Sequence, residues 1–223
     1  MNPAAAASRR TASAALQTKD RILDAAEKLF SLYGFDAASV RMIAAAAKVN
    51  LAAINYHFQS KEALLLAVYE RRVAPINARR VELLRSYLKG SVGRPLKSEP
   101  ILEAFLRPAI EILDEAPHIP MLMVRTVYLQ DRETFREIFD ALFRPVSLEF
   151  FEALRLALPH LSGPQLFLRM QFFLGSFLQM MAARRAMEGL QGFPELPAPE
   201  EMMRQLIHYT AAGLRVRALE SSK

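Results

Sequence analysis

The chain contains no cysteine and no tryptophan. Without cysteine there can be no disulfide, no thiolate metal ligand and no cysteine nucleophile, and the absence fits a reducing cytoplasm. The sequence also lacks an uninterrupted apolar run of about 18 residues, the length that a membrane-spanning helix needs. We therefore expect a cytoplasmic protein that does not enter a membrane.

Signals for strands and for enzyme sites are equally scarce. β-branched residues are few, and no Asn-Gly or Asp-Gly dipeptide marks a hairpin turn. No glycine-rich phosphate loop or nucleophile motif is visible, and the four histidines lack metal-ligand spacing. We expect no catalytic residue, no metal site and no cofactor, and an enzyme is the function class that the sequence disfavours most.

Positive charge is concentrated in the first half of the chain. Residues 1–61 carry eight Lys/Arg and four Asp/Glu, and residues 71–97 carry eight basic residues against Glu82 alone. This asymmetry indicates either a polyanionic partner at one end of the molecule or an ordinary solvated basic helix face. Charge alone leaves both readings open.

Helical periodicity and capping residues predict an all-α fold of about nine helices. Residues 1–17 are expected to be a flexible arm, and Gly34 is expected to end the first helix. Side chains that can cap helix N-termini occur at Thr18, Ser39, Asn50 and Ser60. After the first helix, the others are expected at 40–47, 51–57, 61–88, 99–115, 119–130, 132–157, 164–189 and 199–219.

The most informative segment is Ser39–Phe58, which reads as two short helices joined by a tight turn. Helices that cross steeply need a small residue at their contact, and Ala44 supplies one. Val49 and Ile54 can fill the wedge between the helices. The alternative is an ordinary helical hairpin whose polar surface is incidental.

The surface left by this packing suits DNA. Asn55 can read an adenine edge, and alanine methyls can touch thymine methyls in the major groove. Hydroxyl, imidazole and cationic side chains nearby can bind phosphates. The candidate DNA-binding residues are Ser39, Arg41, Lys48, Asn50, Ala52, Ala53, Asn55, Tyr56, His57 and Lys61.

The runs Ile22–Ala26, Leu29–Phe30, Tyr33–Phe35 and Ile43–Leu64 resemble the DNA-binding signature of the TetR family of transcriptional regulators. The resemblance implies a three-helix DNA-binding domain, here 18–64, followed by a helical ligand-binding and dimerisation domain, 65–223. One position departs from the family, which usually has glycine where this chain has Lys48. A non-glycine residue with positive φ there is strained by roughly 1 kcal/mol.

The second domain is rich in phenylalanine and methionine, which can line an adaptable pocket or simply form core. Arg125 and Arg169 are charged residues on otherwise apolar helices. Each can bind a ligand or form a salt bridge to an Asp or Glu on a neighbouring helix. Met121–Phe177 is similar to TetR-type regulators of fatty-acid metabolism, which implies a fatty acid, an acyl thioester or another amphipathic effector. The candidate pocket residues are Phe105, Met121, Arg125, Tyr128, Phe139, Phe173 and Phe177.

The helix predicted at 164–189 is apolar on almost every side. The core of one subunit can account for this only if it covers both faces of the helix. By resemblance, the last two helices of each subunit would form a four-helix bundle in a homodimer. A two-fold dimer implies a near-palindromic operator. The sequence thus predicts a repressor released from DNA by its effector; an activator, or a DNA-binding protein without a ligand, is the alternative.

Overall fold

The computed structural model describes residues 3–113, 115–116, 119–129, 132–187, 191–192 and 194–217, and the side chains among them except 3–13, 126–129, 132 and 184–186. Every regular element in these ranges is helical. The α-helices are α1 (Pro3–Tyr33), α2 (Val40–Ala47), α3 (Leu51–Phe58), α4 (Lys61–Gly90), α5 (Ser98–Glu111), α6 (Ile119–Leu129), α7 (Arg132–Ile138), α8 (Arg144–Ala157), α9 (Gly163–Ala186) and α10 (Pro199–Arg215). A π-helical turn, Phe139–Phe143, joins α7 to α8 without a break, so the described chain forms nine helical segments, as predicted.

Local capping explains why the short helices begin where they do. The side chains of Ser39, Asn50 and Ser60 accept hydrogen bonds from backbone N–H groups at 3.2, 2.8 and 3.0 Å. Each bond satisfies a donor that has no partner inside its helix. These three predicted caps are confirmed, and so are the predicted bounds of α2.

The start of α1 differs from the prediction. The helix begins at Pro3, so the expected flexible arm at 1–17 is helical from Pro3 onward, and the expected cap at Thr18 is wrong. Thr18 lies inside the helix, where its hydroxyl donates to the carbonyl oxygen of Ala14 at 2.9 Å. Alanine has the highest helix propensity, and the alanine-rich stretch before Thr18 extends the helix for that reason.

Two hydrophobic cores organise the chain. The first, which we call the head core, joins α1–α3 to the first half of α4 through Val73, and it also includes Ile119 and Leu122 of α6. The second, the body core, begins at Ile76 and continues through α5, α8, α9 and α10. The two cores meet inside α4, between Val73 and Ile76, so α4 belongs to both. The division into domains after residue 64 stays a prediction.

Helix α5 is the centre of the body. It packs against α4, α8 and α10, and most of its side chains are buried. Phe105 lies edge-to-face with Phe150, Phe173 and Phe177, at centroid separations of 5.2, 5.7 and 6.4 Å. Such tilted aromatic pairs stabilise a core beyond the area they bury.

Helix α9 is the least covered apolar helix of the described chain. Its stretch Gly163–Ala183 has the length and mean hydropathy, 1.3, of a membrane span, yet only 17% of that window is buried. It is not an uninterrupted apolar run, because it contains four polar residues, Gln165, Arg169, Gln171 and Gln179. By itself the criterion is weak evidence for a membrane, but the exposed apolar face requires an explanation.

Candidate nucleic-acid interface and adjoining cavity

The contact between α2 and α3 has the predicted wedge geometry. Ala44 is 7% exposed and Ile54 is 2% exposed, and Val49 packs partly buried against the same core. The buried side of the pair also holds Ile43, Ala47 and Phe58, so all of its buried side chains are apolar. This packing turns the opposite side of α3 outward.

The turn between the two helices is built around a left-handed lysine. Lys48 has φ 55° and ψ 48°, and its N–H caps α2 by donating to the Ala44 and Ala45 carbonyls. The expected non-glycine residue with positive φ is therefore present. Gln59, after α3, has φ 58° as well, and nothing in the sequence pattern pointed to it.

We expect Lys48→Gly to raise the free energy of unfolding by about 1 kcal/mol, because glycine adopts this conformation without the Cβ penalty. The melting temperature should rise by roughly 2–4 °C. If the Lys48 ammonium also binds a phosphate, the salt dependence of nonspecific DNA binding should become shallower. Lys48→Ala, which loses the charge and keeps the strain, is the control; an unchanged salt slope in both variants would contradict the phosphate contact.

The candidate DNA-binding residues occupy one end of the molecule. Asn55 and Tyr56 project from α3, and Tyr56 is 82% exposed. Ala53 and His57 are half-buried. The other exposed members are Ser39, Arg41, Lys48, Asn50 and Ala52. The surface combines short side chains with amide and hydroxyl groups, which suits close approach to base edges.

Three of these candidates already have structural tasks. The Ser39 hydroxyl oxygen caps α2. The Asn50 amide oxygen caps α3, so only its NH₂ group remains to donate. The Lys61 ammonium donates to the Asp36 carbonyl at 3.3 Å and lies 4.4 Å from the centroid of the Phe35 ring. Lys61 therefore braces the loop before α2, and we rank it below Asn55 and Tyr56 as a DNA contact.

The basic residues at 71–97 do not form the polyanion-binding surface that their number suggested. Arg71 and Arg72 both bind Glu27, which is 3% exposed. Farther along α4, Arg79 pairs with Glu82 and Arg85 with Glu149. Arg71 and Arg72 thus join α4 to α1, and Arg85 joins α4 to α8, whereas the Arg79–Glu82 pair lies within α4. Sequence reasoning missed the buried Glu27 that binds two of these arginines.

A small cavity of about 50 Å³ lies where the two cores meet. Its wall includes Val73 and Ile119 from the head core and Ile76 and Phe177 from the body core. The remaining lining residues are Arg80, Ala109, Ile112, Leu113, Ala116, Pro120, Met123, Phe143, Leu178 and Met181. Burial lowers the pKa of the Arg80 guanidinium to about 9, so it is still charged at neutral pH.

The predicted pocket residues are only partly brought together. Phe177 lines this cavity, whereas Phe105 and Phe173 line a smaller one of about 20 Å³ inside the body core. Met121 is 38% exposed, and Phe139 stacks on Phe135 in the π-helical region. The Tyr128 side chain lies outside the described residues.

Arg125 and Arg169, the two arginines on apolar helices, donate to backbone carbonyls near the ends of other helices. Arg125 Nη2 donates to the Leu32 carbonyl at 3.2 Å, and a Cβ on Gly34 would lie 3.2 Å from Arg125 Nη1. Arg169 Nη1 donates to the carbonyls of Gly213 and Val216 at 2.7 Å each. Neither lines the cavity. Arg125 instead ties α6 to the end of α1.

Helix α6 thus touches the cavity and the head at once. Ile119 and Met123 line the cavity. On the head side, the Tyr69 hydroxyl donates to the Leu122 carbonyl at 3.0 Å. Any widening of the cavity that displaces α6 must therefore disturb contacts with the head.

These features define a helix-turn-helix DNA-binding protein with a helical body. The model described as "Bacterial regulatory proteins, tetR family" matches residues 22–68, and "Tetracyclin repressor-like, C-terminal domain" matches 103–213. The chain belongs to the TetR family of transcriptional regulators.

Individual relatives are similar over short stretches of the chain. The chain is 46% identical over 50 residues to a probable HTH-type transcriptional regulator, YttP of Bacillus subtilis, covering 22% of this chain and 24% of the relative. It is 40% identical over 67 residues to the HTH-type transcriptional repressor NicS of Pseudomonas putida, covering 30% and 32%. The matches thus span less than a third of these curated relatives.

The fold extends further than the sequence similarity. The crystal structure of the transcriptional regulator FadR from Bacillus subtilis in complex with stearoyl-CoA superposes with a TM-score of 0.56 at 14% identity, covering 86% of this chain and 97% of that one. At this identity the likeness establishes the shared all-α fold alone.

Proposed function

We propose that the protein is a homodimeric repressor that binds a near-palindromic operator in the cytoplasm and is released by a small amphipathic effector. The observation that carries the proposal is the outward face of α3, held by the α2–α3 wedge and capped at Asn50. An exposed short helix presented in this way fits the major groove. The relative NicS is named a repressor, which favours repression over activation.

The unpartnered faces of α9 and α10 support the dimer. On α9 the exposed stripe includes Leu168 and Phe172. Beside it lies the half-buried Gly175, where an added Cβ would have nothing within 4 Å. On α10, Tyr209 is 73% exposed and a Cβ on Gly213 would also meet open space. Apolar stripes with room for close approach suit a four-helix bundle between two copies.

The cavity supports an effector response. Its lining is almost wholly apolar, and it joins both cores through α4 and α6. Ligand pockets of several hundred Å³ are usual, so an effector must push these helices apart to enter. The solved regulator with stearoyl-CoA makes a fatty acid or an acyl thioester the effector class we propose.

DNA reading is tested by Asn55→Ala and Tyr56→Ala. An operator is first selected from a pool of random duplexes with the full-length protein; we expect an inverted repeat. Asn55→Ala should bind that operator at least about 30-fold more weakly, because a base contact contributes roughly 1–3 kcal/mol at each of the two half-sites. Tyr56→Ala should also bind it more weakly, because it loses a phosphate contact in each half-site. Melting temperatures should stay unchanged, because both residues are exposed.

Val92→Ser is the matched control for these variants. Val92 is 83% exposed in the loop after α4 and lies outside the α2–α3 surface. Its operator affinity should equal that of the unchanged protein. Full affinity in both α3 variants, or selection of no repeated motif, would contradict the proposal. Fatty acids that neither shift the melting temperature nor release the operator would contradict the effector part alone.

A further inference from the structure

Arg80 is a buried arginine without a carboxylate beside it. Only 4% of its surface is exposed, and the ion pairs formed by the described residues do not include it. An arginine is rarely buried without a counter-charge, because an uncompensated charge costs free energy in a low dielectric. The described residues therefore leave this cation without an acidic partner.

Neutral groups hold the guanidinium in one orientation. Its Nε donates to the Phe105 carbonyl at 2.7 Å, its Nη1 donates to the Asn77 side-chain oxygen at 3.0 Å, and its carbon lies 3.9 Å from the Phe105 ring centroid. Nη2 forms no hydrogen bond to the described residues. The described nitrogens that are fully buried without a partner are Arg71 Nε and Arg125 Nε, so Nη2 of Arg80 keeps some solvent access. A donor edge thus remains open.

Among the described residues, this arginine supplies the only charge on the wall of the junction cavity. The other described residues that line it are all apolar. An apolar chamber with one fixed cation favours a ligand that has a hydrocarbon body and one anionic group. A neutral amphiphile would gain the apolar contacts and leave the cation uncompensated.

We infer that the cavity receives an apolar effector bearing a carboxylate, and that the Arg80 guanidinium pairs with that carboxylate. The inference rests on the proposed effector response and adds the charge of the ligand and the residue that recognises it. A carboxylate on Nη2 would form a hydrogen bond between two charged groups, which is stronger than the present bonds from the guanidinium to neutral oxygens.

The same arginine lies at a junction of three helical segments. It joins α4 to α5 through Phe105, and Asn77 beside it donates to the Leu142 carbonyl of the π-helical turn at 2.7 Å. A carboxylate that draws the guanidinium toward the cavity competes with these bonds. Loosening them frees α5 and the π-helical turn relative to α4, the helix that continues into the head.

The test compares three ligands of the same chain length by calorimetry on the full-length protein: decanoate, 1-decanol and decylammonium. Decanoate should bind about 10- to 100-fold more tightly than decanol, the range expected for one hydrogen bond to a charged group, and decylammonium should bind most weakly. Arg80→Met should abolish this preference, and Arg80→Lys should retain part of it. Arg85→Met, which removes an exposed arginine of α4 paired with Glu149, should leave it unchanged.

The outcomes separate this inference from the effector proposal. Equal binding of decanoate and decanol by the unchanged protein overturns the role of Arg80 and leaves the effector response standing. Binding of none of the ligands, with operator binding intact, overturns both. If Arg80→Met fails to fold, the three-ligand comparison on the unchanged protein and on Arg80→Lys still decides.

Discussion

Replacing Glu27 with alanine should lower the free energy of unfolding by about 3 kcal/mol, because it leaves Arg72 without its acid and Arg71 with only the exposed Asp24. Glu27 is 3% exposed and accepts from Arg71 Nη2 and Arg72 Nε, both at 2.8 Å. We expect the lower end of the usual range for breaking a buried ion pair, because these arginine side chains are 23% and 29% exposed and can reach water. The melting temperature should fall by roughly 6–12 °C.

Asp24→Asn is the matched control for this variant. Asp24 pairs with the same Arg71 at 2.8 Å, but its side chain is 67% exposed. Exposed pairs contribute about 0–1 kcal/mol, so the melting temperature should hardly change. Equal effects of the two substitutions would contradict the view that the buried clamp between α1 and α4 holds the head in place.

Phe172→Glu should convert the proposed dimer into a monomer and reduce operator affinity by at least about 100-fold. Phe172 is 63% exposed in the middle of the α9 stripe, and burying a carboxylate without a partner in an apolar interface is strongly unfavourable. A monomer engages one half-site at a time and loses the linked second contact. Light scattering on the eluted protein gives the mass, and anisotropy of labelled operator gives the affinity.

Leu148→Glu provides the comparison. Leu148 is also 63% exposed but lies on α8, which is not part of the α9 and α10 stripes. It should remain dimeric with unchanged operator affinity. A Phe172→Glu protein that stays dimeric would show that another surface joins the subunits.

The helices and the α2–α3 motif were predictable because local physics determines them. Capping side chains at Ser39, Asn50 and Ser60 fix the starts of three helices, and a 3.6-residue apolar period fixes their buried faces. The alanine-rich start of α1 was mispredicted because Thr18 looked like a cap, whereas helix propensity continued through it.

Pairing between distant segments was not predictable in the same way. The arginines of α4 looked like a basic surface until Glu27, some 45 positions away along the chain, came to lie beside two of them. Arg125 and Arg169 meet backbone carbonyls that no spacing rule connects to them. Arg80 did carry a signal, since it follows Ile76 and precedes Leu84 at four-residue intervals on the buried face of α4.

Two helices connect the cavity to the DNA-binding head. Helix α4 is one of them, because it contributes to both cores and lines the cavity. Helix α6 is the other, since it lines the cavity with Met123 and contacts the head through Leu122 and Arg125. Two helices that share both sites provide a physical route for the proposed coupling.

The most direct test of that coupling is the affinity for the selected operator at increasing decanoate concentration, read by fluorescence anisotropy on the full-length protein. We expect the affinity to fall by about 5- to 150-fold, the range of typical coupling free energies. The fall should level off at the decanoate concentration that fills the site in calorimetry. Decanoate that fills its site and leaves operator affinity unchanged would contradict the account.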